Sequence, residues 1–242
     1  MVLMKVFSVF LFMLSLAGHA SQFDAVYLRV DPALLFTQPG LTQELSLYNG
    51  IGNTYVTSHE WTNEGTAFFG FGVRSFSSDA WQLNTSFSYL PVSNFPDNGQ
   101  IWQLNSPLFN DLDYSYQVKS DVFLIENLLT LTQSRFQPGI LLGLGYAVNK
   151  TSGFQQLPLS NTAVPSSLVF NGSQTNQFSF EFGAVLDYAC YRKLTIELAY
   201  RYLNVGKGYF ESSTLQDTND ALSTGTLVHH IVSLGIRAYY DL

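Results

Sequence analysis

His229, His230 and Ser233 are the residues whose types first suggest chemistry. Histidines bind metals and shuttle protons, and a histidine activates a neighbouring serine as a nucleophile. Their spacing argues against both uses. Adjacent residues of a strand point to opposite faces, so His229 and His230 cannot hold one metal from a regular strand. His229 and Ser233 share a face but stand roughly 13 Å apart at strand rise, too far for direct proton transfer. The sequence reading of His229 is a polar residue at the rim of the fold. His59-Glu60 lies in a polar stretch and reads as solvated. Gly70-Phe71-Gly72 lacks the third glycine and the helix of a dinucleotide loop. There is no Gly-x-Ser-x-Gly elbow. Cys190 is the only cysteine, which rules out an internal disulfide and a cysteine-held zinc. No stretch has the spacing of a calcium loop. No catalytic, cofactor or metal residue is assigned, and the chain is expected not to be an enzyme.

The remaining candidates are charges that alternate with apolar residues. Phe178, Phe180, Phe182, Ala184, Leu186 and Tyr188 occupy one face of a strand, with Ser179, Glu181, Gly183, Val185 and Asp187 on the other. The same period recurs, and eight segments read as strands: about 24–36, 66–76, 80–90, 113–125, 138–148, 176–188, 194–204 and 227–242. In the fourth, Tyr114, Tyr116, Val118, Val122 and Leu124 are expected outward, opposite Ser115, Gln117, Lys119 and Asp121. The shared inner face then holds a network of Arg74, Lys119, Asp121, Glu181, Glu197, Arg201 and Arg237. Arg29, Asp31, Asp187 and Asp241 join it on the same parity, although Asp187 lies near a turn and reads as solvated. Buried charges must be paired to be tolerable, and this set is nearly balanced. Glycines at 70, 72, 143, 145, 183 and 235 fall on the inner face and would make room for bulky neighbours.

Long polar segments follow strands one, three, five and seven, near 37–65, 91–112, 149–175 and 205–226. Short turns follow strands two and six. The connection near 126–137 is longer, and Glu126-Asn127-Leu128-Leu129 leans towards a short helix. Short turns on one rim and long loops on the other are typical of membrane barrels. A soluble barrel would turn its larger apolar set inward and its charges to solvent. Only 12% of the 242 residues are charged and 15% are aromatic. After Leu16 no apolar run approaches the roughly 20 residues of a membrane helix. Lys5, the run Val6–Leu16 and Ala17-Gly18-His19-Ala20 read as a signal peptide over 1–20, leaving one barrel domain over 21–242. Tyr89, Tyr114, Tyr188, Tyr202, Tyr239 and Tyr240 near strand ends suit aromatic girdles. The expected fold is an all-β, eight-stranded antiparallel transmembrane barrel with four long extracellular loops. The acidic loops weigh against nucleic-acid binding; the net charge is −7.

The last segment, Ser233 to Leu242, resembles the closing strand of small bacterial outer-membrane barrels of the OmpA-like and opacity-protein type. Ala199-Tyr200-Arg201-Tyr202-Leu203-Asn204-Val205-Gly206 resembles their penultimate strand. Two departures are a terminal Leu242 in place of phenylalanine and the lack of a periplasmic peptidoglycan-binding domain. The resemblance implies residence in the bacterial outer membrane among its lipid and lipopolysaccharide, and insertion by the barrel-assembly machinery. It also implies envelope, adhesion or slow solute-passage roles. Three functions compete on these grounds: a structural or surface-interaction role with a host or surface ligand through the loops, a narrow porin-like channel, and a membrane-embedded lipid hydrolase using His229.

Overall fold

The computed structural model describes residues 24–38, 40–46, 52–159, 170–191, 193–212 and 220–241. The expected signal peptide and Leu242 lie outside the described residues. Eight long strands carry the fold: β1 (Ala25–Thr37), β2 (Thr62–Ser77), β3 (Trp81–Trp102), β4 (Asn110–Leu131), β5 (Phe136–Pro158), β6 (Gln174–Tyr191), β7 (Leu194–Tyr209) and β8 (Ser223–Asp241). Each pairs antiparallel with its neighbours in the chain. β1 also pairs antiparallel with β8, from Ala25 opposite Asp241 to Thr37 opposite His229. The ring is therefore closed, which leaves these strands no open edge.

Alternation decides what each face meets. Leu28, Ile140, Phe178 and Leu234 are each more than 60% exposed, whereas Arg201, Arg237 and Glu197 are fully buried. A ring with hydrocarbon outside and ionised groups inside is stable only in lipid. Trp81, Phe136, Tyr188 and Tyr240 mark the lower end of the apolar belt, with Phe136 and Tyr188 in ring contact at 5.0 Å. Trp61, Tyr89, Tyr200 and Tyr202 mark the upper end, where Trp61, Tyr200 and Tyr202 contact His230 and Tyr89 stacks on Phe123 at 5.1 Å. Two of the expected girdle residues, Tyr114 and Tyr239, point inward instead. Among the described residues no helix is long and apolar enough to cross a membrane.

The strands are longer than the sequence pattern predicts. β3, β4 and β5 run for 22, 22 and 23 residues, about twice the 9–11 that a tilted spanning strand needs. Leu131 pairs with Trp81 at the lower girdle. From there to Asp121 the chain climbs about 33 Å at strand rise, or about 25 Å in height at a ~40° tilt. That is the thickness of the apolar belt, so the upper halves of β3–β5 stand above the membrane. The expected loop at 91–112 is largely a continuous hairpin, turned by residues 103–109. A short strand, Gly52–Thr57, extends the sheet at the top of β3, and Gln43–Ser46 pairs with it in turn.

Two expectations fail in β4. Glu126–Leu129 is not helical: β4 continues to Leu131, held between Leu83–Ser86 of β3 and Ile140–Gly143 of β5. Pairing on both sides supplies hydrogen bonds that a single helical turn could not. The parity of 113–125 is also inverted. Tyr114, Tyr116, Val118, Val122 and Leu124 are buried inside, and Lys119 is exposed on the outer wall beside a part-exposed Asp121. The physical reason is the boundary itself. Above the bilayer the outer wall meets water, so apolar residues turn inward there. Val122-Phe123-Leu124-Ile125 are apolar on both faces at the crossing, which erases the alternation.

Gly235 shows how tightly the wall approaches the interior. A Cβ there would lie 1.9 Å from Asp31 Oδ1, and Asp31 is pinned between Arg29 and Arg201. Folded protein is expected to shift in electrophoretic mobility on boiling. Gly235→Ala should lower the temperature of that shift, with an overpacking cost of about 1–3 kcal/mol. An unchanged midpoint would show that Asp31 moves freely.

Candidate functional site

The candidate site is the buried charge layer inside the ring. Inward positions of β1, β4, β6, β7 and β8 bring Arg29 and Asp31, Glu126, Glu181 and Asp187, Glu197 and Arg201, and Arg237 together, all at most 2% exposed. Glu126 is the hub. Its two oxygens meet Arg29 Nη2 at 2.5 Å and Arg201 Nη1 at 2.7 Å. Ser86 Oγ donates to Glu126 Oε2 at 3.0 Å, and Ser88 Oγ donates to the same oxygen. Arg201 reaches Glu197 at 2.8 Å and Asp31 at 3.1 Å, with its guanidinium over the Phe68 ring at 4.3 Å. Arg29 meets Asp31 at 2.9 Å. Arg237 joins Asp187 at 2.9 Å and also pairs with Glu197. Glu181 is the outlier, 3.8 Å from Arg201. It lies over Gly143, where a Cβ would fall 2.6 Å from its Cγ.

Of the network expected from sequence, Glu181, Glu197, Arg201 and Arg237 are brought together. Asp187, read as solvated, is 1% exposed because Arg237 draws it in. Arg74 faces inward lower down, over the Tyr239 ring at 4.4 Å, and among the described residues no carboxylate pairs with it. Lys119 and Asp121 fall outside the barrel for the reason given above. Asp241 is exposed beside Lys193 at 3.1 Å. Glu126 was missed because the apolar run before it hid the strand's parity. The signal that finds it is its place two residues after Leu124 on one continuous inward face.

Apolar and aromatic packing seals the interior above this layer. Leu35, Phe68, Leu90, Val92, Val122, Leu203, Leu227 and Ile231 form one buried cluster, which continues upward through Tyr55, Ile101, Leu112, Tyr114, Tyr116, Phe170 and Phe210. Tyr55, Phe154 and Phe170 are in mutual ring contact, and Tyr116 meets Phe210 edge-on at 5.0 Å. Asp97 is buried in this upper part, where the Tyr116 hydroxyl donates to it and the Asn98 amide donates at 2.9 Å. Burial pushes the Asp97 carboxyl above the usual carboxylate range, against these hydrogen bonds, which hold it down.

His229 is not at an open rim. It is fully buried, with Nδ1 2.5 Å from Thr37 Oγ1 and its ring edge-on to Phe95. Ser233, 2% exposed, is buried as well, so neither group meets solvent. Among the described residues no group of His, Cys, Asp or Glu is placed to hold a metal ion.

No family model matches the chain, and no curated protein matches it. Solved structures do. Neisserial surface protein A is 13% identical, with a TM-score of 0.49 over 89% of this chain and 97% of its own. Ail, the attachment invasion locus protein of Yersinia pestis, is 12% identical at 0.43, over 90% and 100%. The outer membrane protease OmpT of Escherichia coli is 8% identical at 0.48, over 92% and 99%. Likeness at this level leaves activity and partners undecided.

Replacing Glu126 by Ala would leave Arg29 and Arg201 without their shared partner. It should cost about 3–5 kcal/mol in urea unfolding from detergent or vesicles, against about 0–1 kcal/mol for the exposed Lys193→Ala. Equal losses would remove Glu126 as the hub. Asp97 gives a pH dependence of known sign. Its native-state proton affinity is raised, so its ionised form opposes folding at neutral pH, and that penalty is relieved as pH falls through the native value. Asp97→Asn should flatten the part of the stability profile that lies between the unfolded-state value and the raised native-state value. A profile identical to the native one would refute it. The closed ring, the hydrocarbon-facing wall and the ionised interior make this chain a small eight-stranded transmembrane β-barrel.

Proposed function

We propose that the barrel is a sealed, non-enzymatic scaffold that acts through the part standing above the membrane, in a surface-interaction role. One observation carries this reading: the interior is filled in two tiers, a salt-bridged layer and an apolar plug above it. A conducting path would have to break buried ion pairs and part close-packed side chains together, and each is costly. Among the described residues the upper halves of β3–β5 are paired strands, which present a fixed surface. At its tip Leu104, Leu108, Phe109, Leu157 and Leu159 are 46–89% exposed, an apolar display of the kind that marks contact sites. Its partners are a surface ligand met by this tip and the lipid and lipopolysaccharide around the wall. The barrel-assembly machinery acts during insertion, and nucleic acid is not a partner.

Refolded protein should give no stepwise current in planar bilayers. Reproducible steps in the native protein would favour the narrow channel instead. On cells, the native protein should increase adhesion to a hydrocarbon phase, and Leu108→Ser with Phe109→Ser should reduce that gain by at least about half, as expected if two exposed anchors dominate the contact. Unchanged adhesion would remove the tip from the role.

A further inference from the structure

Lys119 and Lys150 are directly opposite each other on β4 and β5, and both point outward. Like charges opposed across a ladder are unfavourable. The placement is notable because the surrounding surface is acidic: Glu44, Glu60, Asp111, Asp113 and Glu211 all lie in the upper part, and the only other described lysine there is Lys207. Lys150 has one carboxylate partner, Asp121 at 3.3 Å. The second oxygen of Asp121 accepts from the Tyr89 hydroxyl at 2.9 Å. Among the described residues Lys119 has no carboxylate within ion-pair distance.

Height gives the pair its meaning. Asp121 sits at the top of the apolar belt. Lys119, two residues further up, is about 5 Å higher at strand rise and tilt, at the level of lipid headgroups. Below it the wall forms a shallow pocket lined by Tyr89, Asp121, Phe123, Val148, Lys150 and Gln174. Its floor is continuous with the stack of Phe87, Phe123 and Tyr89. An occupant must therefore be an amphiphile: apolar where it meets Phe123 and Val148, anionic where it meets the two ammonium groups. Gln174, opposite Lys150 on β6, adds a polar neighbour.

We propose that Lys119 and Lys150 form a binding site for the phosphate of an outer-leaflet lipid, whose acyl chains lie on the Phe123–Val148 floor. The site rests on the membrane placement of the barrel. It makes specific what would otherwise be general contact with lipid. An anion between the two lysines cancels their repulsion and leaves Asp121 to fix Lys150 in place.

The test uses the full mature barrel refolded into phosphatidylcholine vesicles, with and without bisphosphorylated lipid A, and reads the midpoint of the heat-induced mobility shift. Failure to fold in phosphatidylcholine would count against the membrane placement, whereas folding without a lipid A response counts against this site alone. The native midpoint should rise by about 5 °C with lipid A. Lys119→Gln with Lys150→Gln should fold in phosphatidylcholine but lose the rise. Lys119→Arg with Lys150→Arg, and Lys207→Gln, should keep it. If the double glutamine variant does not fold, Lys119→Gln alone, which removes the unpaired lysine, should cut the rise at least in half. An equal rise in the glutamine variants overturns the proposal, as does no rise in the native protein. So does an equal rise from inorganic phosphate added to phosphatidylcholine vesicles, which would mean that the lysines bind a free anion.

Discussion

A cylinder surrounded by hydrocarbon has one place to keep an ionised side chain, and that is its own interior. Three guanidinium groups, on Arg29, Arg201 and Arg237, are held there by Asp31, Glu126, Asp187 and Glu197 at 2.5–3.1 Å or closer. A single buried charge would be prohibitive, and each is tolerable only because the others stand beside it. The rest of the interior follows from this layer. Glycines at 143 and 235 thin the wall where Glu181 and Asp31 press against it. Serines 86 and 88 add hydrogen bonds to the Glu126 oxygen that Arg29 holds. Phe68 covers the face of Arg201.

The second organising fact is a change of solvent partway up the wall. Below Asp121 the outer face meets acyl chains and the inner face can be charged. Above it the outer face meets water, and Tyr55, Ile101, Leu112 and Phe210 fill the inside as they would in a soluble protein. One set of strands thus obeys two opposite patterning rules without a break in its hydrogen-bond ladder. The upper half consequently needs no separate fold, since the barrel itself continues out of the membrane.

This change of solvent explains what the sequence could and could not disclose. Strands such as Phe178–Tyr188 lie wholly in lipid, and their alternation is readable residue by residue. Glu197, Arg201 and Arg237 were placed correctly on that basis. β4 starts in water and ends in lipid. Its inner face is apolar in the first part, with Tyr114 and Val118, and charged in the second, at Glu126. A reading that assumes one environment assigns one half wrongly, which is why Lys119 and Asp121 were turned inward and Glu126 was left in a turn. Asp187 was misjudged for another reason. Distance from a turn says little about solvation when Arg237, contributed 50 residues later in the chain, closes over it.

The charge layer also draws its members from opposite ends of the polypeptide. Arg29 meets Glu126 across 97 residues, and Arg201 meets Asp31 across 170. The β3–β4 hairpin carries Glu126 with no arginine of the layer, and the β6–β7 hairpin carries Glu181, Asp187 and Glu197 against Arg201 alone. An incomplete chain would carry unmatched carboxylates into the bilayer, and its first strand would lack the seam partner that arrives last. Assembly is thereby made all-or-none, since loop-closure entropy is spent before the long-range pairs return it. The salt bridges act as a proofreading device: they penalise premature insertion and admit the cylinder once its final strand is in register.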